Sequence, residues 1–162
     1  LTRAQALAVH DAHLRAVAGP WALTVGRDHL AWGQGAFGGP LLSAHAPPRT
    51  LVSLATDVAV RVPLLSSVFG PIRGTAFVAD LGPRQNHPGA NLSGIKLNAR
   101  RGWFEIGIGT VQQWGGTGGP TASVGKRLLD HLVIVDSFTG IDDFQFSNKL
   151  AGVDVRATFP AL

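Results

Sequence analysis

Several stretches of the chain alternate large apolar residues with small or polar ones at a period of two. In Trp21 to Arg27 the large residues are Trp21, Leu23 and Val25. Over 51–62, Val52, Leu54, Val58, Val60 and Val62 share one side, and Ser53, Ala55, Asp57, Ala59 and Arg61 the other. Ile95, Leu97 and Ala99 oppose Gly94, Lys96, Asn98 and Arg100; Phe104, Ile106 and Ile108 oppose Glu105, Gly107 and Gly109. Ala151, Val153, Val155, Ala157 and Phe159 oppose Gly152, Asp154, Arg156 and Thr158. Side chains alternate across a strand, so each pattern predicts a strand with one greasy and one polar face. The stretch 72–81 is a further strand with less regular alternation. Residues 3–18 instead read as a helix: Thr2 with Gln5 forms a capping-box pattern, and Gly19-Pro20 ends it. Residues 122–135 fit a short helix or a strand equally.

Two architectures accommodate such strands, a soluble sandwich or barrel and a membrane barrel. Charges and glycines on the polar side suit a wet or plugged lumen. Trp21 and Trp103 fall near strand ends, where an interfacial aromatic girdle belongs. Composition agrees: only 15% of residues are charged, against about 25% in soluble domains. Gly occurs 21 times and Pro 10 times, which suits a turn-rich β chain. No apolar run reaches the roughly 20 residues of a spanning helix, but a barrel strand needs only about 9–11. The sequence contains no methionine, so the expectation is an internal section of a longer protein. The net charge of +4 comes from scattered residues, which argues against nucleic-acid binding. Cysteine is absent, excluding disulfides and thiolate metal sites.

Motifs for catalysis are weak. Gly33-Gln34-Gly35-Ala36-Phe37-Gly38 has the dinucleotide-loop spacing, but Gly39-Pro40 and Pro47-Pro48 leave no room for the required helix. His10 and His13 stand three apart on the predicted helix and lack a third ligand at metal spacing. Ser43 and His45 lack an orienting acid nearby, so a loop hydrogen bond is the plainer reading. Sugar recognition needs aromatic faces and planar polar groups. Trp32, Trp103, Trp114, Gln34, Gln112, Gln113, Asn91 and Asn98 supply these, and Arg27, Arg61, Lys96, Arg100 and Arg156 would suit an acidic polysaccharide. The competing reading pairs these cations across a lumen with Asp57, Glu105 and Asp154.

Three stretches together resemble the capsule assembly Wzi family. The first is Trp32-Gly33-Gln34-Gly35 with Leu41-Leu42-Ser43-Ala44-His45-Ala46-Pro47-Pro48. The second is Gly94-Ile95-Lys96-Leu97, then Glu105-Ile106-Gly107, then Gln113-Trp114-Gly115-Gly116-Thr117-Gly118-Gly119-Pro120. The third is Asn148 to Arg156, Asn-Lys-Leu-Ala-Gly-Val-Asp-Val-Arg. The chain departs from the family pattern at Gln34 (Pro), Ala44 and His45 (paired Asn), Thr110 and Gly119 (Arg), and Lys149 (Gln).

The resemblance implies an all-β fold: an antiparallel meander forming part of a large transmembrane β-barrel. Residues 1–162 are then one barrel segment, with 1–19 helical and 20–162 strands and loops. It implies a bacterial outer-membrane location and non-enzymatic, lectin-like binding of capsular or extracellular polysaccharide, with no cofactor or metal. The implied partners are that polysaccharide, outer-membrane lipid and polysaccharide export machinery. The expected ligand residues are Trp32, Gln34, Ser43, His45, Arg61, Lys96, Arg100, Gln113, Trp114 and Arg156. The alternatives are a porin-type channel and a glycan-acting surface enzyme using Glu105 and Asp154.

Overall fold

The computed structural model describes residues 10–32, 41–43, 45–119, 123–132 and 148–159. Among these residues, seven strands follow one another in a single antiparallel sheet, each paired with its neighbours in sequence. They are β1 (Ala12–Ala18), β2 (Trp21–Asp28), β3 (Arg49–Thr56), β4 (Ile72–Asp80), β5 (Ala90–Arg101), β6 (Phe104–Gly115) and β7 (Asn148–Ala157). Among the described residues, two short helices interrupt the meander, α1 (Leu65–Phe69) and α2 (Val124–Leu132). The sheet is open, with β1 and β7 at its edges, which is the form of a barrel section. Among the described residues, no helix is long and apolar enough to cross a membrane.

The strands predicted from alternation are present, with two corrections. Residues 12–18 form a strand rather than a helix. They also alternate at period two, His13, Arg15 and Val17 against Leu14, Ala16 and Ala18. The Gly19-Pro20 turn folds them back onto the free edge of β2, Ala18 opposite Trp21 and Ala12 opposite Arg27. Pairing along a whole strand outweighs the small helix preference of Ala and Leu; residues 3–9 lie outside the described residues. Second, the strand expected over 51–62 ends at Thr56. The Asp57 amide turns to donate to Pro20 O at 2.7 Å, and its carboxylate accepts from Arg15. Only Val60 rejoins the sheet, in an isolated bridge to Ile72. Of the two readings of 122–135, the helix holds for 124–132.

Register sorts the side chains into two faces. One face carries Trp21, Leu23, Val25, Val52, Leu54, Val78, Leu97, Ile108, Val153 and Val155, from 41% exposed at Ile108 to 61% at Val153. That is an unusually large apolar wall. The opposite face carries Thr24, Ser53, Thr75, Lys96, Asn98, Glu105 and Asp154 between glycines. Trp32, Leu41 and Leu42, from the described parts of the β2–β3 connection, lie on this second face. Trp32 N donates to Leu42 O at 3.1 Å, and Trp32 meets Phe77 edge to face with ring centres 5.0 Å apart. Gly94 makes the seat: a Cβ there would stand 2.7 Å from the Trp32 ring and 2.6 Å from Phe77. Leu41 rests over Gly109 and Gly152 in the same way. The resulting core joins Trp32, Leu42, Leu51, Phe77, Ala79 and Val111. At the end of the sheet with the two tight turns, Trp103 stacks on Phe159 (5.4 Å) and meets Phe104 (5.9 Å).

Candidate functional site

The polar face divides along its length. The Trp32 core covers one end; a charged cleft of about 500 Å³ occupies the other. Antiparallel register builds the cleft from two rows. Arg73 on β4 faces Asn98 on β5, then Gly107 and Asp154; Arg100 faces Glu105 and then Arg156. Of these, Arg73, Asn98, Arg100 and Glu105 line the cleft with Ala59, Pro71, Ala99 and Gly102, and Asp154 and Arg156 continue the rows beside it on β7.

The charges have unequal fates. Lys96 donates to Asp154 Oδ2 at 2.7 Å, with side chains only 6% and 17% exposed. Gly107 makes room for that carboxylate, since a Cβ would stand 2.6 Å from both Asp154 Oδ1 and Asn98 Oδ1. Arg73, Arg100 and Arg156 are exposed and form no ion pair among the described residues. Each guanidinium offers a planar fork of donors suited to a carboxylate or phosphate, and the Asn98 amide suits hydroxyl groups.

The ten expected ligand residues therefore separate. Arg100 and Arg156 lie in the charged rows. Lys96 is nearby but committed to Asp154. Arg61 is exposed in the β3–β4 connection, not on a strand. Gln113 is on the polar face at the far end of β6, opposite Leu92 and Asn148. Trp32 is a core residue, 8% exposed. Ser43 Oγ accepts the His45 backbone N–H at 3.2 Å, a loop hydrogen bond. Trp114 is on the opposite, apolar face, with the Arg127 guanidinium 3.8 Å above its ring. Gln34 lies outside the described residues. Arg73 was missed by sequence reading. Its signal was the odd-numbered set Arg73, Thr75, Phe77 and Ala79, which Phe77 disguises because it is the apolar seat for Trp32.

On the other face, α2 covers the ends of β5 and β6 through a buried polar network. Trp114 Nε1 donates to Ser93 Oγ at 2.8 Å, and Ser93 Oγ lies 2.9 Å from His131 Nε2. His131 Nδ1 lies 3.0 Å from Thr110 Oγ1, which donates to the His131 carbonyl. One neutral tautomer satisfies every group: Nδ1–H donates to Thr110, and Nε2 accepts from Ser93. Lys149 binds Asp130 beside it. Burial lowers the His131 pKa; Asp130 opposes this and Lys149 adds to it. The unfolded imidazole takes a proton near pH 6.5, the docked one only at lower pH. The contribution of His131 to α2 docking is thus complete above about pH 6.5 and declines as the pH falls from there toward the lowered value. Hydrogen exchange of 124–132, corrected for intrinsic rates, is expected to accelerate on acidification, and His131→Asn to remove that dependence. Unchanged protection between pH 7.5 and 5 would show that the network holds its proton balance elsewhere.

The protein-family profile described as Capsule assembly protein Wzi matches residues 2–162. No curated protein and no solved structure matches the chain.

Proposed function

The chain belongs to the capsule assembly Wzi family, and from that premise we propose that it is a section of an outer-membrane β-barrel whose polar wall holds acidic polysaccharide during capsule assembly. The observation that carries this reading is the contrast between the two faces. A wall of exposed leucine, valine and isoleucine backs a glycine-lined face with Arg73, Arg100 and Arg156 at one end, none of them in an ion pair among the described residues. Lipid would take the part of the first face that α2 leaves uncovered, and an anionic glycan the second. An open sheet with free edges at β1 and β7 requires further strands to close it within a membrane.

The role is holding rather than bond cleavage. Hydrolysis by paired carboxylates needs two acids about 5–10 Å apart across the sugar. Here Asp154 is engaged by Lys96, and the lining of the cleft includes one acid, Glu105. The channel alternative is disfavoured by Trp32, Leu41 and Leu42 packed on the same face, so planar-bilayer conductance of the intact protein is expected to be low.

Binding of the producer's own polysaccharide to the detergent-purified full-length protein tests the proposal. Arg73→Glu/Arg100→Glu is expected to weaken binding at least about 30-fold, from two lost charge-assisted contacts of about 1–2 kcal/mol each. Native affinity in this variant, or none in the wild type, removes the proposal.

A further inference from the structure

The β1–β2 hairpin brings together three metal-ligating side chains at its open end. His10, Asp11 and His29 place one ligand atom each within 4.8 Å of one another. Asp11 Oδ1 lies 3.6 Å from His29 Nε2, and the two imidazole rings are 5.6 Å apart at 55°. Ligands about 2.0–2.1 Å from a tetrahedral zinc stand about 3.3 Å from each other, so rotamer adjustments close this set.

The cluster is held from behind. His29 Nδ1 lies 3.2 Å from Ala46 O, a carbonyl that accepts only N–H. With Nδ1–H donating to that carbonyl, a neutral His29 presents its Nε2 lone pair toward Asp11, the arrangement of a metal-binding histidine with its outer partner. The His29 amide donates to Asp28 Oδ1 at 2.7 Å, and Arg27 Nε donates to His10 O at 3.2 Å. Both ligand-bearing segments are thereby tied to β2. His13, paired with Asp28 at 3.8 Å, stays outside the set. The strand conformation separates it from His10, although the two look like the natural pair in sequence.

We propose that His10, Asp11 and His29 form a site for a borderline divalent transition metal, represented by Zn²⁺, with the remaining coordination open to water. Two imidazoles and one carboxylate favour zinc, nickel or copper over calcium and magnesium, which take all-oxygen sites. The ion would staple the segment entering β1 to the chain leaving β2, at an edge where β1 is exposed throughout. The proposal is independent of any glycan.

Calorimetric titration of ZnCl₂ into untagged, EDTA-stripped full-length protein in detergent tests it. The wild type is expected to bind with an affinity that His29→Ala and His10→Ala each lower about 10–100-fold or more. His13→Ala and His87→Ala should retain wild-type affinity. As a second readout, zinc should raise the unfolding temperature of the wild type and of His13→Ala but not of His29→Ala. Equal affinity in the wild type and the His10→Ala/His29→Ala variant, tighter binding of Ca²⁺ than Zn²⁺, or no zinc-dependent thermal shift overturns the proposal.

Discussion

Lys96→Met is expected to destabilise the sheet by about 3–5 kcal/mol, because it leaves a carboxylate buried without its cation. Lys96 and Asp154 sit across β5, β6 and β7, bridging over Gly107, with the pair almost fully enclosed. Among the described residues, Asp154 Oδ1 has no hydrogen-bond partner. Removing the ammonium therefore leaves Oδ2 in the same condition. Desolvation of a charged group costs several kcal/mol, far above the few tenths lost at an exposed pair. The double variant Lys96→Met/Asp154→Leu should recover most of the loss, since it removes both charges at similar volume. Urea unfolding of the full-length protein in detergent, followed by tryptophan fluorescence, measures this. A loss below about 1 kcal/mol for Lys96→Met alone would falsify the enclosed-pair picture and mean that water reaches Asp154.

Trp32→Ala is expected to cost about 3–5 kcal/mol, the usual range for removing a large buried aromatic. Trp32 is 8% exposed, and its ring fills the space over Gly94 against Phe77. Its ring also packs in one core with Leu42, beyond the backbone bridge between the two residues. Gly94→Ala attacks the same contact from the sheet side by driving a methyl group into both rings. The two changes share one space, and their combined cost should fall clearly below the sum of the single costs. Additive costs would place Trp32 away from Gly94. Conductance supplies a second reading: if the connection blocks the lumen, Trp32→Ala should raise single-channel current in planar bilayers.

These two positions show how sequence and structure divide the information. Alternation along β2, β5, β6 and β7 was readable from residues alone, because strand geometry sends neighbours to opposite faces whatever surrounds them. It placed Lys96, Asn98, Arg100 and Glu105 on one side and Ile95, Leu97, Ile106 and Ile108 on the other, as the register confirms. Period two also existed in 12–18, but the helical pattern was equally available there. Only pairing with β2 decided it.

The site was less legible. Trp32 and Trp114 looked alike as sugar platforms, yet one is core and the other lies across the sheet under Arg127. Arg73 gave no sign of joining Arg100 and Asn98, because cross-strand neighbours are set by register between distant segments. The same holds for His29, which meets His10 and Asp11 only through the hairpin. The residues by themselves determined an all-β chain with one greasy and one polar face per strand, since that follows from backbone periodicity. Which charges were consumed in pairs, which stayed free, and which aromatics were buried was decided by tertiary structure, because each depends on residues tens of positions apart meeting at a few ångströms.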